Sequence, residues 1–219
     1  MCDCVLSARA RAVCYRALFP PRCRRPPRRQ KIGGAGKIAG VTTPYCYVGG
    51  AGSGFMMHAE DQNLASCNYL LAGHAKVWYV VPPAFYAATV RVLLAEFAGA
   101  DSAIERCPHA AMHKRYLVHP DVLRDVHGIP VSRIVQQPGD LVVTAPGTFH
   151  FGFNAGPNLA EATNLAWANW WTDGSFAAAD AAGHCSCTDA RFAFDAAGLR
   201  TAMRVVGPSF GIASPADAL

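Results

Sequence analysis

The chain has 219 residues, of which 52% are hydrophobic and 16% charged, a composition that suits one folded domain with a substantial core and excludes a disordered polymer. No apolar run approaches the ~18–20 residues that carry a helix across a bilayer, so a helical membrane protein is excluded as well. The net charge of +5 is unevenly placed: residues 1–37 hold ten of the 20 Lys/Arg but, in Asp3, one of the 15 Asp/Glu, which leaves a mildly acidic body behind a basic arm.

Residues 1–39 form that arm. Its run Pro20-Pro21-Arg22-Cys23-Arg24-Arg25-Pro26-Pro27-Arg28-Arg29 forbids a regular helix, and Gly33-Gly34-Ala35-Gly36 adds freedom. A solvated, disordered arm is expected. A nuclear-import or nucleic-acid patch and an Arg-rich transit peptide are the other readings of the same residues. From Val41 the texture turns to β. Tyr45 to Val48 reads as a strand ending in the glycine cluster Gly49 to Gly54. Cys67 to Leu71 and Lys76 to Val81 read as two strands paired around a turn at Gly73, the second stopped by Pro82-Pro83. Phe85, Val90, Leu93, Leu94 and Phe97 recur with helical spacing over residues 84–98, and a second helix is expected over 120–126. Three more strands, 141–144, 148–153 and 160–170, are separated by Pro146-Gly147 and Gly156-Pro157. Short antiparallel strands on both sides of a helical insert point to a β-sandwich or open barrel. A dinucleotide fold is excluded, because the glycine cluster lacks the Gly-x-Gly-x-x-Gly spacing. Residues 191–219 are expected to form a helical tail.

His58-Ala59-Glu60 sets an imidazole and a carboxylate two residues apart, a spacing that puts both on one face of a strand. By itself the triplet is common and is as readily two surface residues. A second His from a distant strand would complete a facial triad that leaves three adjacent coordination positions open, as non-haem Fe(II) oxygenases require. His150 fits that role. In Phe149-His150-Phe151-Gly152-Phe153 the aromatic residues share one face, expected to pack into the sandwich, and His150 takes the other. The nine cysteines are odd in number and include Cys185-Ser186-Cys187, which suits metal ligation in a reducing compartment better than disulfides. Cys107, Cys185 and Cys187 with one imidazole, His109 or His113, would close a tetrahedral zinc site.

Several segments together resemble the JmjC domain: Gly40-Val41-Thr42-Thr43-Pro44-Tyr45-Cys46-Tyr47, Phe55-Met56-Met57-His58-Ala59-Glu60-Asp61, Asn68-Tyr69-Leu70, Lys76-Val77-Trp78-Tyr79-Val80-Val81-Pro82-Pro83 and Gly152-Phe153-Asn154. The nearest pattern is that of the JmjN–JmjC demethylases of trimethylated lysine, and the resemblance covers residues 40–190. It implies a mainly β, double-stranded β-helix (a jelly-roll, cupin-like fold) with a helical insert and a C-terminal zinc-bound segment. His58, Glu60 and His150 would be the catalytic iron ligands. Lys76 would pair with the far carboxylate of 2-oxoglutarate, Asn68 would be a polar partner of the same co-substrate, and Phe55 and Trp78 its apolar walls, although core packing alone also explains both rings. Gly40, Tyr45, Tyr47 and Asn164, with Glu60, would line a methyl-lysine pocket in which an aromatic face receives a quaternary ammonium. Zinc would be held by Cys107, His113, Cys185 and Cys187.

The function so implied is an Fe(II)- and 2-oxoglutarate-dependent dioxygenase that hydroxylates an N-methyl group of lysine on the histone H3 tail, releasing formaldehyde and succinate. Chromatin would be its setting, the nucleus its compartment, and nucleic-acid contact by the arm a secondary feature. A JmjC protein hydroxylase and a catalytically impaired chromatin-binding module are the alternatives. The subfamily pattern also carries, ahead of Gly40, a tyrosine that grips 2-oxoglutarate alongside the lysine. Within residues 1–39 there is only Tyr15, in unmatched surroundings. Either part of a longer protein or a chain lacking one co-substrate ligand is expected.

Overall fold

The computed structural model describes residues 5–6, 44–98 and 113–165. They contain nine strands: β1 Val5–Leu6, β2 Tyr45–Gly49, β3 Gly54–His58, β4 Ala65–Gly73, β5 Lys76–Val81, β6 Ser132–Gln136, β7 Leu141–Thr144, β8 Phe149–Asn154 and β9 Asn158–Leu165. They form two antiparallel sheets, one of five strands in the order β1-β7-β4-β9-β2 and one of four in the order β3-β8-β5-β6. From β2 to β9 each connection passes from one sheet to the other, except β5 to β6, which stays within the four-stranded sheet. That alternation is the winding of a double-stranded β-helix. The β5–β6 connection holds the helical insert: a 3-10 turn at Pro83–Phe85, helix α1 at Tyr86–Glu96 and a π-helical turn at Val122–Val126. Among the described residues no helix is long and apolar enough to cross a membrane.

Strand alternation divides the core in two. On one face of the four-stranded sheet, Val81, Phe149 and Phe151 pack with Val92 and Leu93 of α1 and with Tyr116, Val118, Leu123 and Ile129 of the insert. On the other face, Trp78 and Val80 meet Val142 of the opposite sheet, with Phe55 and Ile134 beside them. Gly152 lies in this second layer for a steric reason: a Cβ there would stand 2.8 Å from the tip of the Phe55 ring and collide with the Val77 carbonyl.

Two sequence-based expectations need correction. The strands at Cys67–Leu71 and Lys76–Val81 both exist, but they do not pair. Gly73 pairs with Asn158 in one sheet and Lys76 with Asn154 in the other, so the short link between them crosses the sandwich edge beside the parallel crossing of residues 155–157. Nor does the phenylalanine stripe pack between the sheets. Phe149 and Phe151 lie beneath the helical insert, which covers the outer face of the sheet, and Phe153 is exposed. Strand β3 carries His58 as the His-x-Glu spacing implied, whereas β6 was not anticipated. The expected strand over 160–170 begins two residues early, at Asn158, and residues 166–170 lie outside the described part. Within the basic arm, Val5–Leu6 pair with Leu141 and Val142; the remainder of the arm and the expected tail at 191–219 are outside the described residues.

Candidate metal centre

Strand β3 ends at His58, which stands directly opposite His150 of β8. The chain then continues in extended backbone, with Glu60 at φ −67°, ψ 148°. Glu60 is therefore just past the strand, yet the two-residue repeat of extended chain still brings its carboxylate to the side of His58. The His58 and His150 rings lie 4.4 Å apart, centroid to centroid, and Glu60 Oε1 is 3.4 Å from His150 Nε2. One potential ligand atom from each of the three residues lies within 4.8 Å of the others. His150 is 4% exposed and Glu60 13%.

Each imidazole is oriented by its own strand. His58 Nδ1 is 2.6 Å from the Met56 carbonyl and His150 Nδ1 is 3.0 Å from the Thr148 carbonyl. A carbonyl only accepts, so each Nδ1 carries a proton and Nε2 is the atom each ring offers to a metal. Asn164 Nδ2 donates to Glu60 Oε2 at 3.1 Å, which fixes the carboxylate from the five-stranded sheet. Burial first, and the neighbouring His150 second, push His58 down to about 3. For Glu60 burial is the largest influence and raises its affinity for the proton. The hydrogen bond and charge of His150, with the charges of His58 and Lys114, outweigh it and hold the carboxyl well below the usual range. Two imidazoles and one carboxylate are the donor set of a divalent first-row metal, which would take the place of any proton on Nε2, and in number and chemistry these residues fit one.

Beside this cluster the four-stranded sheet carries two aromatic rings and then a polar group. Phe55 and Trp78 meet edge to face at 4.8 Å, and Trp78 lies 5.8 Å from the His150 ring. Farther along β5, Lys76 is buried at 7% exposure, with Nζ 2.7 Å from Asn154 Oδ1 and 5.2 Å from the Phe55 ring. Burial lowers its affinity for the proton, and no carboxylate faces it among the described residues. Asn68 projects from β4, where its side-chain oxygen accepts from Gln136 Nε2 at 3.3 Å.

Tyr45 and Tyr47 lie on β2, the end strand of the five-stranded sheet, each 48% exposed, their rings 6.1 Å apart and edge-on. Burial, then the Glu60 charge, raises the Tyr47 phenol above its ordinary value. Asn164 reaches Glu60 from β9, so the structure brings every described residue of the expected site except His113 to the inner faces of the two sheets or their rim. Gly40, Cys107, Cys185 and Cys187 lie outside the described residues, leaving His113 as the one described member of the expected zinc set.

Matching against family models pairs residues 45–165 with the JmjC domain, described as a hydroxylase. The chain belongs to the JmjC family. It is similar to lysine-specific demethylase 4D of Rattus norvegicus, 41% identical over 157 residues that make up 72% of this chain and 29% of that protein. Similarity at the same 41% over 157 residues extends to the probable lysine-specific demethylase 4F of Homo sapiens, covering 72% of this chain and 23% of that one. Lysine-specific demethylase 4B of Mus musculus is 39% identical over 150 residues, or 68% of this chain and 13% of its own length. The chain thus spans less than a third of each of these JmjC relatives.

Three residues of the site escaped the sequence reading. Gln136, fully buried, accepts from Trp78 Nε1 at 2.9 Å and donates to Asn68 and to the Asp140 carbonyl, joining both pocket residues through one amide. Asn154 anchors Lys76. Lys114, at a positive φ of 56°, pairs with Asp61 at 3.3 Å beside Glu60. Inward alternation along 132–136 would have flagged Gln136. Asn154 was visible only as part of a motif, and Lys114 carried no local signal.

Proposed function

We infer that this chain is an Fe(II)- and 2-oxoglutarate-dependent dioxygenase that demethylates methylated lysine on the histone H3 tail, working on chromatin in the nucleus. The observation that carries the reading is the convergence of His58, Glu60 and His150 beside the Phe55 and Trp78 rings, with the buried cation of Lys76 farther along the same sheet. Iron bound by the three ligands would supply O2 activation and oxidation of the co-substrate to succinate. The remaining roles fall to the chain itself. The proton on each Nδ1 directs the Nε2 lone pairs to the metal, and Asn164 orients Glu60. Phe55 and Trp78 exclude water from the site, while Lys76 and Asn68 receive 2-oxoglutarate, Lys76 as a point charge on its far carboxylate. Gly40, Tyr45, Tyr47 and Asn164 would line the methyl-lysine pocket, where the exposed tyrosine faces suit a quaternary ammonium. The hydroxylated N-methyl group then leaves as formaldehyde. Cys107, His113, Cys185 and Cys187 would hold a structural zinc ion.

Incubation of the metal-loaded chain with 2-oxoglutarate and a trimethyl-lysine H3 peptide is expected to yield succinate and formaldehyde in step with loss of methyl groups. A folded, iron-loaded sample without turnover would refute the reading. The hydroxylase description of the matched family domain favours a second reading, hydroxylation of an unmethylated side chain. Mass spectrometry separates the two: demethylation lowers peptide mass, whereas hydroxylation adds one oxygen and keeps it.

A further inference from the structure

Lys76 stands in a cross-strand row between Gln136 of β6 and Asn154 of β8. Gln136 turns its amide to Trp78, Asn68 and Asp140. Asn154 is the neighbour that holds the ammonium, accepting from Nζ at 2.7 Å. Its carboxamide has no freedom to flip. Nδ2 donates to Ser53 Oγ at 2.9 Å and to the Ser53 carbonyl at 3.2 Å, while Oδ1 also accepts from Asn158 Nδ2 at 2.9 Å. Rotation by half a turn would aim an N–H2 group at the ammonium and break the bonds to the β2–β3 loop. Asn154 and Asn158 are both buried, and the Gly49 backbone closes in behind them, where a Cβ would stand 2.6 Å from Asn154 Nδ2.

Resting on the dioxygenase reading above, we propose that Asn154 is a positioning residue for the co-substrate: its locked, neutral carboxamide oxygen fixes the buried Lys76 ammonium without neutralising it. A neutral acceptor fixes the geometry while the full positive charge and the remaining donors stay available to an incoming carboxylate. A carboxylate in the same place would satisfy the lysine internally and compete with the ligand.

The test is calorimetric titration of the full-length, Fe(II)-loaded protein with 2-oxoglutarate under anaerobic conditions. Asn154→Asp keeps the shape of the side chain and is expected to weaken 2-oxoglutarate binding by more than about tenfold, the scale of a charge-assisted hydrogen bond. Asn154→Ala, which removes the anchor but leaves the charge free, is expected to lose less than that. Iron affinity stays at the wild-type value in both. Because Asp also sets a carboxylate oxygen against the Ser53 carbonyl, melting temperature is read in parallel: a purely structural role predicts that 2-oxoglutarate affinity falls in step with it across both variants. The proposal is overturned if Asp binds 2-oxoglutarate as tightly as Asn or more tightly than Ala, or if iron affinity falls in parallel with it. Should the wild-type chain bind iron but no 2-oxoglutarate, the dioxygenase reading itself fails, a result distinct from failure of the variants alone.

Discussion

The two imidazoles of the centre owe their readiness to a backbone detail. Each donates from Nδ1 to the carbonyl two residues before it, a bond that extended chain offers without further support and that leaves Nε2 as the atom available to a metal. Replacing His150 by Ala removes a ligand and is expected to abolish both iron binding and turnover, checked by metal analysis after desalting alongside a succinate assay. The low affinity of His58 for the proton has a consequence for stability. The folded state holds it down to about 3, whereas an unfolded histidine titrates near 6.5. Between those values the unfolded chain binds more protons, so stability rises with pH through this window and is lost as pH falls. Metal-free protein is expected to melt at progressively lower temperature from pH 7 to pH 5, and His58→Asn to flatten that slope. The spacing of His58 and Glu60 was legible in the chain because it is local. The partnership of Glu60 with Asn164, 104 positions away, rested on resemblance until the sheets were in place.

At the scale of elements, a period of two identifies a strand but not its neighbour. Cys67–Leu71 and Lys76–Val81 alternate equally well whether they pair or part, and the short link at Gly73 permits both. What decides is the second crossing at residues 155–157, which supplies each strand with its own partner, β9 for β4 and β8 for β5. The phenylalanines of β8 show the same ambiguity. Alternation separates them from His150 but does not say which side faces the other sheet, and helix α1 settles that by covering Phe149 and Phe151. Gly152, on the His150 side, keeps the inner layer thin enough for Phe55. Gly152→Ala forces its Cβ against that ring and the Val77 carbonyl. The expected cost is about 1–3 kcal/mol of stability, the usual range for overpacking, read by denaturant unfolding together with weaker 2-oxoglutarate binding.

For the whole molecule, the alternating passage between sheets is what gathers the site. Strands β3, β5 and β8 supply His58, Phe55, Lys76, Trp78 and His150 from one sheet, while β2, β4 and β9 supply Tyr45, Tyr47, Asn68 and Asn164 from the other. The zinc set would act at the same scale, joining the insert through Cys107 and His113 to the segment at Cys185 and Cys187. Metal analysis is expected to find one zinc per chain that survives chelation mild enough to strip the iron, and Cys185→Ser to lose that zinc with a fall in melting temperature. By itself the chain determined the β-rich class, the helical insert, the His-x-Glu pair and a resemblance that named the pocket residues, since each rests on local spacing or on motifs read as strings. Tertiary structure alone decided which strands pair, which face of β8 looks toward the opposite sheet, and that two buried amides, Gln136 and Asn154, bond to Trp78, Asn68 and Lys76. Those are contacts between positions far apart in the chain, and a hydrogen bond of that kind leaves no periodic trace in the sequence.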